Sequence, residues 1–172
     1  MWTEEDLTRD NFPATYDIIK NLRNFNKVSP YNKNSIVSDL MRVEIIYRHG
    51  GFYFDQNIMV LQKGFFDRYL KFGMVAVSFM ESLFRVCIES SFFGAAQGYA
   101  PLGRVIDHRI LSTRNFYSKK ANVEAGPRLV SFAIEDEQDP EIGWIPEEVM
   151  YPHSQYYAPA GPNLCIANTT TR

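Results

Sequence analysis

The stretch SIVSDLMRVEIIYRHGGFYFDQN, Ser35 to Asn57, decides how this chain is read. Ile36, Leu40, Val43 and Tyr47 recur at helical spacing and make one apolar stripe. Ser35 suits the start of that helix as a cap. Arg48 and His49 suit its C-terminal dipole, and Gly50 suits a left-handed stop. Phe52-Tyr53-Phe54 then reads as a short strand, which runs into Asp55-Gln56-Asn57. The expectation is helix, tight turn, strand and loop, with Ile58 to Leu61 continuing extended.

Upstream, Asn11-Phe12-Pro13 looks like a helix entry, and Tyr16, Ile18, Ile19 and Leu22 follow at helical spacing. Asn24 to Asn34 is rich in Asn and Lys and reads as a loop. Downstream, Gly73 to Ser78 and Phe84 to Ile88 read as buried strands. Tyr99 to Leu111 reads as a helix with Pro101 in its first turn. Gly126-Pro127 opens another short helix, and Ile142 to Ile145 and Val149 to Tyr151 read as late strands. Residues 1–157 form one expected domain, with a loose tail at 158–172. Helices mixed with strands throughout point to an α/β/α sandwich around a mainly parallel sheet. Ligands in such sheets bind at the carboxyl ends of strands, where Asp55 is expected.

The 172 residues suffice for one domain. Hydrophobic residues make up 45% and charged ones 22%, a globular rather than disordered composition. The formal net charge of -2 gives no electrostatic footprint for nucleic acid. No apolar run approaches the length of a membrane span, and the acidic start MWTEEDLTRDNF lacks the make-up of a signal peptide. The chain as it stands is expected in the cytoplasm, or in a secretory organelle where a longer parent is anchored, so the compartment stays open. Cys87 and Cys165 read as unrelated thiols, and a disulfide between them cannot be placed from sequence. No Cys or His spacing suggests zinc.

The chemistry concentrates in the opening stretch. Asp39 and Arg42 lie three apart and share a helix face. The Gly50-Gly51 turn folds the strand back on that helix, which brings Asp39, Arg42, Tyr53 and Asp55 towards one locale. Carboxylates accept hydrogen bonds from sugar diols. A guanidinium presents a fixed fork of donors to sugar or phosphate oxygens. A carboxylate-held divalent ion can neutralise a diphosphate.

Ser38-Asp39, Arg42, Gly50-Gly51, Tyr53 and Asp55, at these intervals, resemble the signature of DXD-containing glycosyltransferases. That group is typified by initiation mannosyltransferase-like and capsular-polysaccharide transferases, and its spacing is similar to that of the clostridial glucosylating toxins. WTEEDL, EAGPRL and EEVMYPHSQYY are weaker echoes of flanking elements in such enzymes. The resemblance implies a GT-A-like fold, a nucleotide-sugar donor, Mn2+ or Mg2+, and hexose transfer with retention to a glycan, protein or lipid acceptor. It implies that Asp39 and Arg42 grip the donor sugar, that Tyr53 shapes the donor pocket, and that Asp55 holds the ribose or the metal. Asp39, Arg42 and Asp55 are then the catalytic set, with Asp55 and Asn57 at the metal.

Two features depart from the pattern. The motif's second acid is Asn57 here, which removes a charge beside the ion. The strand that opens such enzymes is not found ahead of Trp2, so the expectation is a sheet without its first strand. Both features favour an alternative: a weak or inactive domain of the same type with a binding or structural role. A phosphohydrolase with Asp55 as nucleophile is a third reading, but it lacks the second acid and leaves Asp39 and Arg42 unexplained.

The remaining polar and aromatic residues have plainer expectations. His49 belongs to the helix end and His108 to a surface. His153 follows Tyr151-Pro152, where related enzymes complete the site. Trp144 reads as strand core and Trp2 as a packing anchor. Glu81 and Glu89 flank strands and read first as solvated, then as acceptor-side carboxylates. Asp6, Asp10 and Glu135-Asp136-Glu137 read as solvated charge.

Overall fold

The computed structural model describes residues 4–24, 30–82, 85–110, 125–134 and 140–150. Trp2, Glu135-Asp136-Glu137, Tyr151, His153, Cys165 and the 158–172 tail lie outside the described residues.

Helix α1 spans Tyr16–Arg23 and buries Ile19 and Leu22. Helix α2 spans Pro30–His49. It starts ahead of Ser35, so Ser35 lies inside the helix rather than at its cap, and 30–34 are helical rather than loop. Pro30 explains this start: its fixed φ and missing N–H suit the first helical position. Ile36, Leu40 and Val43 on its apolar stripe are fully buried. Gly50 ends the helix with φ of 68°. Its N–H donates to the Ile46 carbonyl at 2.8 Å, the single bond of a left-handed cap.

Among the described residues four strands form one sheet in the order β1-β3-β2-β4. They are β1 (Gly51–Phe54), β2 (Met74–Ser82), β3 (Arg85–Ala95) and β4 (Ile142–Ile145). β1 and β2 both pair antiparallel with β3, and β4 alone is parallel to its neighbour β2. The expectation of a mainly parallel sheet is therefore corrected to a mostly antiparallel one. The cause is chain length: only residues 83–84 separate β2 from β3. A parallel return needs a crossover of a dozen residues or more.

Period-two alternation sends the strand side chains to two separate clusters. On one face Met74, Ala76, Ile88 and Phe93 pack with Ile19, Leu22, Ile36, Leu40 and Val43 of α1 and α2. Leu102 and Val105 of α3 (Ala100–Val105) and Leu129 of the short helix Pro127–Ser131 complete that core. On the other face Val75, Val77, Phe92 and Ile145 meet Phe52, Phe54, Phe65, Phe66 and Phe72. Rings cover this second face, with Phe52 4.9 Å from Phe66 and Phe54 5.2 Å from Phe92. Among the described residues the long helices lie on one face only, so the second helical layer of a sandwich is not seen.

Other boundaries shift for local reasons. β3 runs on to Ala95, well beyond Ile88, because Phe92 and Phe93 each find a core on opposite faces. Val149 and Met150, expected in a strand, lie in the helical turn Glu147–Met150. The helix after Tyr99 changes to a π turn at Ile106–Ile110. Ile58 to Leu61 joins no strand, and Met59 and Leu61 are 79% and 88% exposed. Among the described residues no helix is long and apolar enough to cross a membrane.

Candidate functional site

The Gly50-Gly51 turn, with φ of 68° and 99°, reverses the chain so that β1 runs back along α2. A Cβ on Gly50 would lie 2.9 Å from the backbone nitrogen of Gln97, so the turn has no room for a side chain. Because Phe52 and Phe54 point to the aromatic face, Tyr53 between them points to α2. There it meets Arg42, whose guanidinium carbon lies 4.2 Å from the centroid of the Tyr53 ring.

Arg42 is the hub. It is only 6% exposed, and Asp39 beside it only 5%. Nη2 lies 3.0 Å from Asp39 Oδ1 and 3.5 Å from Asp55 Oδ1. The same Nη2 donates to Ser38 Oγ at 3.0 Å, and Nε donates to the Ser38 carbonyl at 3.3 Å. Nη1 donates to the Ser90 carbonyl of β3 at 2.6 Å. The Tyr53 hydroxyl donates to Asp55 Oδ1 at 2.6 Å and lies 3.4 Å from Ser38 Oγ. The Asp55 N–H donates to the Ser91 carbonyl at 2.9 Å, which carries the β1–β3 pairing one residue past the strand.

Burial pushes the Asp39 carboxyl up to about 7. The negative charges of Asp55 and Glu89 add to that rise, and Arg42 opposes it. Burial also raises the Tyr53 phenol, and its hydrogen bond to Asp55 raises it further. The cluster thus holds one group that changes protonation near neutrality and a phenol that stays a donor.

The structure brings Asp39, Arg42, Tyr53 and Asp55 together. Asn57 is placed differently. It is exposed on the turn after β1, which the Ile58 N–H closes on the Asp55 carbonyl at 3.0 Å. A cleft of about 660 Å³ opens between α2 and β1 and is lined by Ser38, Met41, Arg42, Gly50 and Tyr53, among others. Asn57 lines a second hollow, of about 340 Å³, with Met59, Leu61, Phe65 and Phe66.

Ser90, Ser91 and Glu44 escape a reading of the sequence. Ser90 and Ser91 act through backbone carbonyls, which any residue could supply. Their only signal is a pair of hydroxyls that, with Glu89, interrupts the apolar residues of β3. Glu89 lies on β3 and is half-buried, not solvated on a loop. Glu44, one residue past Val43, is 2% exposed. Its carboxylate accepts from the N–H groups of Ala14 and Thr15 at 2.9 and 3.0 Å and from the Thr15 hydroxyl at 2.6 Å. It satisfies the start of α1 and ties that helix to the one that carries Arg42. His49 and His108 are exposed, and Trp144 packs against the main core from β4.

Among the described residues no group of three or more His, Cys, Asp or Glu side chains could hold a metal ion. Asp55 and Asn57, two positions apart in the sequence, carry oxygen atoms of the hard-donor type that Mg2+ and Mn2+ take.

No curated protein and no solved structure matches the chain. A family model does match, described as the glycosyltransferase sugar-binding region containing DXD motif, and it covers residues 2–71. α1, α2, β1 and every member of the Arg42 cluster except the β3 carbonyls fall within that span. Over residues 2–71 the chain is thus similar to the glycosyltransferase sugar-binding region containing DXD motif.

Proposed function

We propose that the protein transfers a hexose from a nucleotide sugar to a hydroxyl of a glycan, protein or lipid acceptor, with retention of configuration, in a GT-A-like domain. One observation carries this reading: a buried guanidinium whose three nitrogens are all oriented, flanked by Asp39 and Asp55 at the carboxyl end of β1. Such a fork is fixed before the ligand arrives, which lowers the cost of binding. Arg42 directs donors at sugar and diphosphate oxygens, and Asp39 pairs with sugar hydroxyls. Tyr53 walls the cleft and holds Asp55 Oδ1, which turns Asp55 towards the ribose or the ion. The Asn57 side-chain carbonyl would be the second protein ligand to that ion. When bound, Mn2+ or Mg2+ neutralises the charge of the departing nucleoside diphosphate.

Calorimetry of the full chain with UDP- and GDP-hexoses and Mn2+ tests the proposal. The expected result is metal-dependent binding of at least one donor. No binding at millimolar donor overturns it. Asn57→Asp restores a charge beside the ion and is expected to raise donor affinity and hexose transfer when metal is limiting.

A second reading, a weak or inactive domain that binds without efficient transfer, is favoured by one observation. Asn57 lines a different hollow from Arg42 and Tyr53. Donor binding without transfer or donor hydrolysis, unchanged by Asn57→Asp, would select it.

A further inference from the structure

β3 breaks register beside the site. Ala76 faces Phe93 and Ser78 faces Ile88, so the single residue Val77 of β2 stands opposite four residues of β3, Glu89 to Phe92. A bulge this deep leaves ladder positions unpaired and bends the strand, and such features re-aim side chains next to functional sites. Here the bowed segment carries the Ser90 carbonyl to Arg42 and the Ser91 carbonyl to the Asp55 N–H. It carries a third group as well. Glu89 is half-buried, and its Oε1 accepts from the Ser91 N–H at 3.2 Å. That bond lies within the bulge and orients the carboxylate, while Oε2 has no hydrogen-bond partner among the described residues.

We propose that Glu89 is a specificity-determining residue of the same site, accepting a hydrogen bond from a hydroxyl of the bound hexose. The inference rests on the nucleotide-sugar reading above and deepens it. Asp39 on α2 lies against the guanidinium, and Glu89 on β3 directly precedes Ser90, whose carbonyl holds that guanidinium, near enough for its charge to act on the Asp39 carboxyl. A polyhydroxylated ring presents hydroxyls on neighbouring carbons and can engage both carboxylates at once. The ribose also carries a pair of neighbouring hydroxyls, which falls to Asp55, and the diphosphate, which has none, falls to Arg42 and the ion; comparison with the bare nucleoside diphosphate therefore separates a hexose contact from a ribose contact. A partly buried carboxylate also rejects a sugar that lacks its hydroxyl, because the charge is then left without a donor.

The test compares wild-type chain, Glu89→Gln and Glu89→Ala by calorimetry at fixed Mn2+, with UDP- and GDP-hexoses and with UDP and GDP alone. Glu89→Gln keeps an oxygen for the Ser91 N–H. The expected result is a loss of about tenfold or more in nucleotide-hexose affinity, with nucleoside-diphosphate affinity unchanged. Equal binding of the hexose donor by wild type and both variants overturns the role of Glu89 and leaves the glycosyltransferase reading standing. An equal loss for the hexose donor and the bare diphosphate makes Glu89 a support of the bulge and also overturns it. No nucleotide-hexose binding by wild type overturns both readings. Should the variants fail to fold, wild type supplies the same decision with deoxy-hexose donors. At least two of them, one for Asp39 and one for Glu89, must bind about tenfold or more weakly than their parent, and weakening of one or none overturns the proposal.

Discussion

At the scale of single residues, Arg42 shows what a guanidinium does that an ammonium cannot. Its three nitrogens reach Asp39, the backbone and side chain of Ser38, and the Ser90 carbonyl at once. Arg42→Lys keeps the charge and loses the fork. It is expected to cost about 2 kcal/mol of stability, read by urea denaturation, and to weaken nucleotide-sugar binding. Asp39 makes stability depend on pH. Its folded-state pKa of about 7 lies above the unfolded value of about 3.9, so the folded chain binds the extra proton between those limits. This contribution is complete below about pH 4 and is lost as the pH rises through about 7. Denaturation of the ligand-free chain at pH 5 and pH 8 should show the fall, and Asp39→Asn should flatten it. Asp39, Arg42, Tyr53 and Asp55 were legible because one helix and one strand, joined by two glycines, fix them locally. Ser90 and Ser91 were not, and Glu89 read first as solvated and only second as a site carboxylate, because their approach depends on how β3 bows away from β2, and no local pattern encodes that.

At the scale of elements, α2 was the most readable part of the chain, since its stripe follows the 3.6-residue period without interruption. Its start was misplaced because Pro30 lies among Asn and Lys residues that individually favour loops. Two features govern how α2 presents the site. Gly50 holds a left-handed conformation against the backbone of Gln97. Gly50→Ala is expected to cost about 2 kcal/mol, as a lowered thermal midpoint, because both strain and a close approach oppose the methyl. Glu44 replaces the missing helical acceptors at the start of α1, where the Thr15 side chain itself makes no cap bond. Glu44→Ala leaves buried donors unsatisfied, at an expected cost of about 3 kcal/mol. Hydrogen exchange should localise the damage: the amides of 14–23 lose protection, while those of β2 and β3 keep theirs.

At the scale of the whole molecule, the α/β class was legible from alternating helical and strand patterns, whereas strand direction was not. Direction is set by which strands pair, and the short link between β2 and β3 decides it more than any composition does. A ligand that engages α2, β1 and β3 together should stabilise all three as one unit. A saturating nucleotide sugar with Mn2+ is therefore expected to raise the thermal midpoint, with an increase that grows with the logarithm of ligand concentration. The bulge in β3 has one more consequence, for which changes of chain length the molecule can survive. Phe92 serves the aromatic face and Phe93 the helical face, while Ile88 on the far side of the bulge also serves the helical face. Deleting or inserting a single residue between Ile88 and Phe92 obliges the strand on one side of the lesion to turn over, exchanging its inward and outward side chains. The segment therefore behaves like a reading frame, in which substitutions are absorbed one at a time but a single-residue slip scrambles both cores and the site between them.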